Sequence, residues 1–101
     1  MRPIHLVRID KLRPAVILTR ESVRPYLRRI TVAPITSTER GLRTEVPVGS
    51  ANGLDHQSVI SCDNVQTVEV SDIGRPIGHL TDDQEIALAH ALATAYDLNF
   101  G

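Results

Sequence analysis

Leu12-Arg13-Pro14-Ala15-Val16-Ile17-Leu18-Thr19, together with Ile30-Thr31-Val32-Ala33-Pro34-Ile35-Thr36-Ser37-Thr38, decides how the rest of the chain is read. Both runs are apolar and rich in β-branched residues, and each carries a proline. β-Branched side chains suit a pleated, half-buried surface. Residues 15–18 are an unbroken apolar run, as expected of a central strand covered on both faces. Pro14 has no N–H for a ladder and suits the start of that strand. Residues 30–35 predict a second strand. Arg13 then stands just before one strand and Thr36 just after the other. If the strands pair, a cation and a hydroxyl meet on one surface.

Outward from this pair, residues 4–9 predict a first strand, with Ile4, Leu6, Val7 and Ile9 nearly alternating with His5 and Arg8. Residues 10–12 are a short turn. Residues 19–29 are polar, and Pro25 weakens any helix there. Residues 37–43 are a loop bending at Gly41. Residues 44–48 are β-prone, with Pro47 arguing for an edge. Asn52-Gly53 signals a turn. Residues 58–62 and 65–70 predict two strands joined as a hairpin near Asp63-Asn64. Residues 71–80, with Gly74, Pro76 and Gly78, read as a connector. Thr81-Asp82-Asp83-Gln84 is a capping box that opens a terminal helix. Ile86, Ala89, Ala93 and Tyr96 form a stripe at helical spacing, widened by Leu88, Leu92 and Ala95. Short strands followed by one helix predict a mainly β fold, a small barrel or sheet with a C-terminal α-helix.

The composition narrows the function classes. The chain has 101 residues, 42% hydrophobic and 3% aromatic with no Trp, so one domain over 1–101 with an aliphatic core is expected. The one cysteine, Cys62, excludes an internal disulfide and a cysteine zinc site, and reads as a small buried hydrophobe. No apolar run nears the length of a membrane span and no signal-peptide pattern opens the chain, so a cytoplasmic protein is expected. His5, His56, His79 and His90 fit no metal spacing. Phosphate-binding glycine loops and nucleophile elbows are absent. No cofactor is expected.

The net charge of −1 hides an asymmetry. Through Glu45, ten cations stand against four acids, a balance of +6; from Val46, Arg75 stands against eight acids, a balance of −7. All but Lys11 of those ten cations are arginine, which grips phosphate bidentately. Two readings stay open: a basic face for a polyanion, or a surface that the fold mixes back together.

Three groups carry candidate chemistry. Arg13, placed by the rigid Pro14, is a phosphate anchor or an ordinary strand-capping arginine. Thr36, Ser37 and Thr38 put hydroxyls at a strand end, where they bind an anion or simply form a turn. Asp63 is a turn former, or a carboxylate that moves a proton or orients a ribose 2′-OH. The aromatic residues are only Tyr26, Tyr96 and Phe100, so base recognition by loop hydrogen bonds from residues 20–29, 37–43 and 52–58 is expected over stacking. This nominates Lys11, Arg20, Arg24, Arg40, Arg43, His56 and Ser58 beside Ser37 and Thr38.

The ordered set Arg13-Pro14-Ala15-Val16-Ile17-Leu18, Val32-Ala33-Pro34-Ile35-Thr36-Ser37, Glu45-Val46-Pro47-Val48, Gly53-Leu54, Ser58-Val59-Ile60, Asp63-Asn64-Val65-Gln66-Thr67-Val68 and Ile77-Gly78-His79-Leu80 resembles the MazF/PemK/Kid family. These are toxin halves of type II toxin–antitoxin pairs. The resemblance spans residues 4 to 98. It implies an SH3-like small barrel of the CcdB/PemK kind, working as a homodimer. It implies a metal-independent, sequence-specific endoribonuclease that cuts single-stranded RNA to 2′,3′-cyclic phosphate and 5′-hydroxyl ends. The family's catalytic Arg and Thr fall on Arg13 and Thr36. A cognate MazE-like antitoxin is the implied protein partner, its acidic tail competing with RNA for a basic groove.

The chain departs from the family pattern in two places. Kid-like members carry Arg-Cys-Asp where this chain has Ser61-Cys62-Asp63. The loop before the catalytic Arg is short, only Asp10-Lys11-Leu12, and the early Trp is missing. Two rival classes remain. A CcdB-like gyrase poison ends its helix in Trp-Gly-Ile, unlike Asp97-Leu98-Asn99-Phe100-Gly101 here. A non-catalytic SH3-like binding module needs an aromatic groove.

Overall fold

The computed structural model describes residues 2–99. Seven strands make one curled sheet: β1 (Pro3–Arg8), β2 (Leu12–Ile17), β3 (Arg29–Thr36), β4 (Glu45–Val48), β5 (Ser58–Ser61), β6 (Gln66–Glu69) and β7 (Ile73–His79). One helix, α1 (Asp82–Ala95), follows. The strand order is β4-β5-β3-β2-β1-β7, with β6 also on β3. This is the mainly β half-barrel with a C-terminal helix that the chain predicts.

β3 is the hub. It pairs antiparallel with β2 on one edge, and on the other with β6 (Arg29–Val32) and then β5 (Ile35 and Thr36). Neither outer partner pairs with Ala33 or Pro34. The proline thus sits where the ladder on that edge changes strands, and its missing N–H leaves no gap. β2 runs from Leu12, so Arg13 and Pro14 lie inside the strand and pair with Val7 and Leu6. β3 likewise includes Thr36 as its last residue.

Both central strands are buried on both faces, as the apolar runs require. Val16, Ala33 and Ile35 face a cluster that holds Ile4, Val46, Ile60, Leu80, Leu88 and Ala91. Ala15, Ile17, Ile30 and Val32 face a second cluster with Val7 and Val68. Cys62 is 1% exposed in the first cluster. Burial and the neighbouring Asp63 push its thiol up to about 11, which leaves it an inert core residue at neutral pH.

Three expectations are corrected, and the one or two helical turns that residues 21–29 leave room for are found. Residues 73–79 are a strand on β1, not a connector; β1 shifts register twice to accept it. β5 and β6 do not form a hairpin: each pairs with β3, and a 3-10 turn, Cys62–Asn64, carries the chain between them. Residues 21–26 form a 3-10 helix that contains Pro25. The buried face of α1 is Leu88 and Ala91, flanked by Leu92 and Ala95. Ile86, Ala89 and Tyr96 face outward and Ala93 is buried, while the three residues expected to widen the stripe, Leu88, Leu92 and Ala95, do turn to the core. The capping box stands: Gln84 N–H donates to Thr81 Oγ1 at 3.2 Å, and Thr81 N–H donates to Gln84 Oε1 at 3.0 Å.

Among the described residues no group of three His, Cys, Asp or Glu is placed to hold a metal ion, and no helix is long and apolar enough to cross a membrane.

Candidate active site

The site is built by the register of β2 on β3. Ala15 faces Pro34, Val16 faces Ala33 and Ile17 faces Val32. Continued by two residues beyond the last pair, that register would bring Arg13 opposite Thr36, and both residues line one groove. Both then lie on the face of Ala15, Ile17, Val32 and Pro34, because side chains alternate across a strand. Beyond the end of the apolar pairs, this face opens into a groove of about 520 Å³. Arg13, Thr36, Thr38, Arg40 and Asp63 line it, together with Asp10, Leu42, Glu45 and Gln66.

Arg13 is held by a carboxylate from the turn before it. Its Nε donates to Asp10 Oδ1 at 2.8 Å and its Nη2 to Asp10 Oδ2 at 3.1 Å. Lys11 N–H also donates to Asp10 Oδ1, at 2.9 Å. These bonds, with that of Arg13 the largest, hold the Asp10 carboxyl well below its ordinary value. The same bond raises Arg13. The sign is the usual one for a depressed carboxylate. The clamp is fully formed above the ordinary value of 3.8 and is lost only as pH falls through the lowered one. Arg13 and Asp10 therefore keep their charges across the neutral range. A guanidinium has five N–H donors. Asp10 takes two on the Nε edge, and the Nη1/Nη2 edge keeps a pair for another oxyanion.

Asp63 is reached from the other side of the groove. Its Oδ2 accepts a 2.5 Å hydrogen bond from Thr44 Oγ1. Its Oδ1 makes no hydrogen bond among the described residues. The other two groove carboxylates have both oxygens hydrogen-bonded: Asp10 as above, and Glu45 by Arg40 N–H and Leu42 N–H. Thr36 Oγ1 accepts from Thr38 N–H at 3.2 Å, which leaves its own hydrogen free to donate.

The other nominated residues stand apart from the groove lining. Arg20 and Arg24 flank or belong to the 3-10 helix that follows the opposite end of β2, whose last residue, Ile17, is about 13 Å from Arg13 at about 3.3 Å per residue. Arg24 Nε is bonded to the Thr19 carbonyl at 2.9 Å. Ser58 Oγ turns back onto the His56 carbonyl at 3.1 Å. Lys11, Ser37 and Arg43 are exposed on the loops beside the groove. Tyr26 is exposed on the far loop and Tyr96 on the outer face of α1; Phe100 lies outside the described residues.

The sign asymmetry of the chain is partly cancelled in space. Arg29 pairs with Glu69 at 3.2 Å and Arg2 with Glu85 at 3.1 Å, each joining the two halves. The groove itself holds Arg13 and Arg40 against Asp10, Glu45 and Asp63. It is not a basic patch, so placed donors rather than net charge must hold an anion.

A family described as PemK-like, MazF-like toxin of type II toxin–antitoxin systems matches residues 7–96. The chain belongs to this family. It is 60% identical over 100 residues to a protein of Mycobacterium tuberculosis named Endoribonuclease MazF3, covering 99% of this chain and 97% of that one. Its fold matches the structure of the Mycobacterium tuberculosis toxin MazF-mt6 with a TM-score of 0.96 at 60% identity, covering 98% of this chain and 100% of that one. A mycobacterial endoribonuclease solved with its cognate antitoxin has the same fold, with a TM-score of 0.87 at 22% identity over 98% of this chain and 95% of that one. Membership in the MazF-like family disfavours both the gyrase-poison and the binding-module readings.

Within this MazF-like fold, sequence reasoning missed Asp10, Thr44 and Glu45. Asp10 had a signal: a carboxylate three residues before an arginine across a turn. Thr44 and Asp63 are nineteen positions apart, and no spacing rule joins them.

Proposed function

We propose that this protein is a toxin that cuts single-stranded RNA at defined sequences without a metal ion, leaving 2′,3′-cyclic phosphate and 5′-hydroxyl ends. It acts in the cytoplasm as a homodimer and is held in check by a cognate antitoxin. The activity and the antitoxin rest on family membership. The observation that supports the chemistry is a clamped arginine and a hydroxyl with a free hydrogen lining one open groove.

The ribose 2′-OH attacks the adjacent phosphorus, the bond to the 5′-oxygen of the next nucleotide breaks, and that oxygen takes a proton from solvent water in the open groove to leave as a 5′-hydroxyl. Negative charge grows on the non-bridging oxygens. The open edge of Arg13 and the Thr36 hydroxyl donate to them where the charge develops. Asp10 holds the guanidinium in place beforehand, so little reorganisation is needed. Arg13 does not take the 2′-OH proton, because arginine stays protonated in proteins. Asp63 is the groove carboxylate with a free oxygen, and it accepts that proton. Asp63→Asn keeps the Thr44 bond and removes the base, so the cleavage step slows by about 10²-fold with little change in melting temperature. A single-turnover rate equal to wild type removes Asp63 from the mechanism.

The deciding experiment incubates pure protein with single-stranded RNA in EDTA and maps the new 5′ ends. Discrete cuts bearing 5′-hydroxyls support the reading. No cleavage, or cleavage only on adding a divalent metal, overturns it.

A further inference from the structure

Residues 37–44 link β3 to β4 and form one wall of the groove. Glu45 holds this wall from behind. Its Oε1 accepts from Arg40 N–H at 3.1 Å and from Leu42 N–H at 3.0 Å, and its Oε2 from Arg40 N–H at 3.2 Å. Glu45 N–H donates back to the Leu42 carbonyl at 3.1 Å. Gly41, with φ +70°, supplies the left-handed residue that lets both neighbouring amides turn toward one carboxylate.

This arrangement sorts what the wall can offer to RNA. The amides of Arg40 and Leu42 are occupied and cannot read a base. Both residues line the groove, as Thr36 does. The Arg40 guanidinium has no hydrogen bond or carboxylate partner among the described residues, unlike that of Arg13. Leu42 is 47% exposed, an apolar surface with nothing over it. A planar cation next to exposed apolar carbon suits the face and edge of an unstacked nucleobase. A phosphate would need the cation alone.

We propose that Arg40, positioned by the Glu45 carboxylate, selects the nucleobase beside the scissile phosphate. This rests on the reading of the protein as an RNA-cutting toxin. Arg40 is a specificity residue, and Glu45 is a positioning residue that acts through it.

The test is to map cut sites on a random-sequence single-stranded RNA pool, with single-turnover kinetics on the preferred site. Arg40→Lys keeps the charge and loses the planar fork. It is expected to lose about tenfold or more of the preference at one position next to the cut, read as the ratio of single-turnover rates on the preferred site and on the same site with that base changed. Glu45→Ala releases the wall and loses the same preference, with KM rising and kcat nearly constant. Glu45→Gln keeps an acceptor oxygen and restores most of the preference. Melting curves for each variant separate a loosened wall from a lost fold. Arg40→Lys cutting with the wild-type site distribution overturns the proposal, as does wild type cutting without preference at that position. Absence of cutting by wild type overturns the RNA-cutting reading itself, a distinct result.

Discussion

Arg13→Ala is expected to leave a folded protein whose single-turnover cleavage of single-stranded RNA is slower by about 10³-fold, since one placed oxyanion donor is worth about 10²–10³-fold and the proposed mechanism takes two from Arg13. The fold survives because Arg13 stands on an open groove and its ion pair with Asp10 is a surface pair. No core contact is removed, because the buried neighbours on its strand begin at Ala15. Arg13→Lys separates charge from geometry. A lysine keeps one cation and loses the fork that Asp10 grips on one edge and phosphate meets on the other. Its rate is expected between wild type and Arg13→Ala, nearer the latter. Thermal melting by circular dichroism checks the fold, and the rate of product appearance checks the chemistry. An Arg13→Ala variant that is folded and cuts at the wild-type rate removes Arg13 from the reaction.

The two central strands were legible because burial on both faces writes an unbroken apolar run, as in residues 15–18. The pairing of a cation with a hydroxyl was legible from where those runs end. Its register was not, since a shift of one residue would turn Arg13 to the opposite face. β7 was hidden for a physical reason. Gly74, Pro76 and Gly78 have poor β-propensity, and the strand exists because the free edge of β1 accepts it through two register shifts. The phase of α1 was misread because alanines at 87, 89, 91, 93 and 95 make several faces look apolar. Leu88 was read as part of the apolar face, and only the sheet decides that Ala91 joins it while Ile86 and Ala89 turn out.

The groove was half legible. Arg13, Thr36 and Asp63 arrive at it from three strand ends, and the ordered motifs located all three. The carboxylates that tie it together were not located. Glu45 was a strand residue in a β-prone run, and its role appears only when the preceding loop folds back on it. The charge asymmetry left two readings open, and the fold favours mixing: strand pairing puts Glu69 beside Arg29, and Asp63 and Glu45 enter the same groove as Arg13.

The largest stability effect belongs to a glycine that the sequence marked only as a turn. Gly53 has φ +82°, and a Cβ there would stand 1.9 Å from the Ile77 carbonyl oxygen. Facing it, a Cβ on Gly78 would stand 1.9 Å from the Asn52 carbonyl oxygen. Two stretches of backbone are packed flat on each other, and neither can rotate away as a side chain would. The turn also carries Asn52, 1% exposed, whose Nδ2 donates to the His79 carbonyl at 3.0 Å and whose Oδ1 accepts from Gly49 N–H at 3.0 Å and Gln84 Nε2 at 3.1 Å. Gln84 is the residue that closes the cap of α1. Pushing the turn off β7 therefore strains a left-handed residue, at about 1–2 kcal/mol. It also overpacks a tight contact, at about 1–3 kcal/mol, and loosens buried polar bonds worth about 1–3 kcal/mol if left unmet. Gly53→Ala is expected to cost about 4 kcal/mol or more against the 5–15 kcal/mol typical of a whole domain. At about 4–8 °C per kcal/mol for a domain of this size, the melting temperature falls by about 16 °C or more. Gly41→Ala is the matched control: it has φ +70° and open space around the added carbon, so it carries the strain without the collision. If the two variants melt together, the close approach of the turn to β7 contributes nothing; if Gly53→Ala melts far lower, backbone contact, and not the dihedral alone, is what demands glycine there.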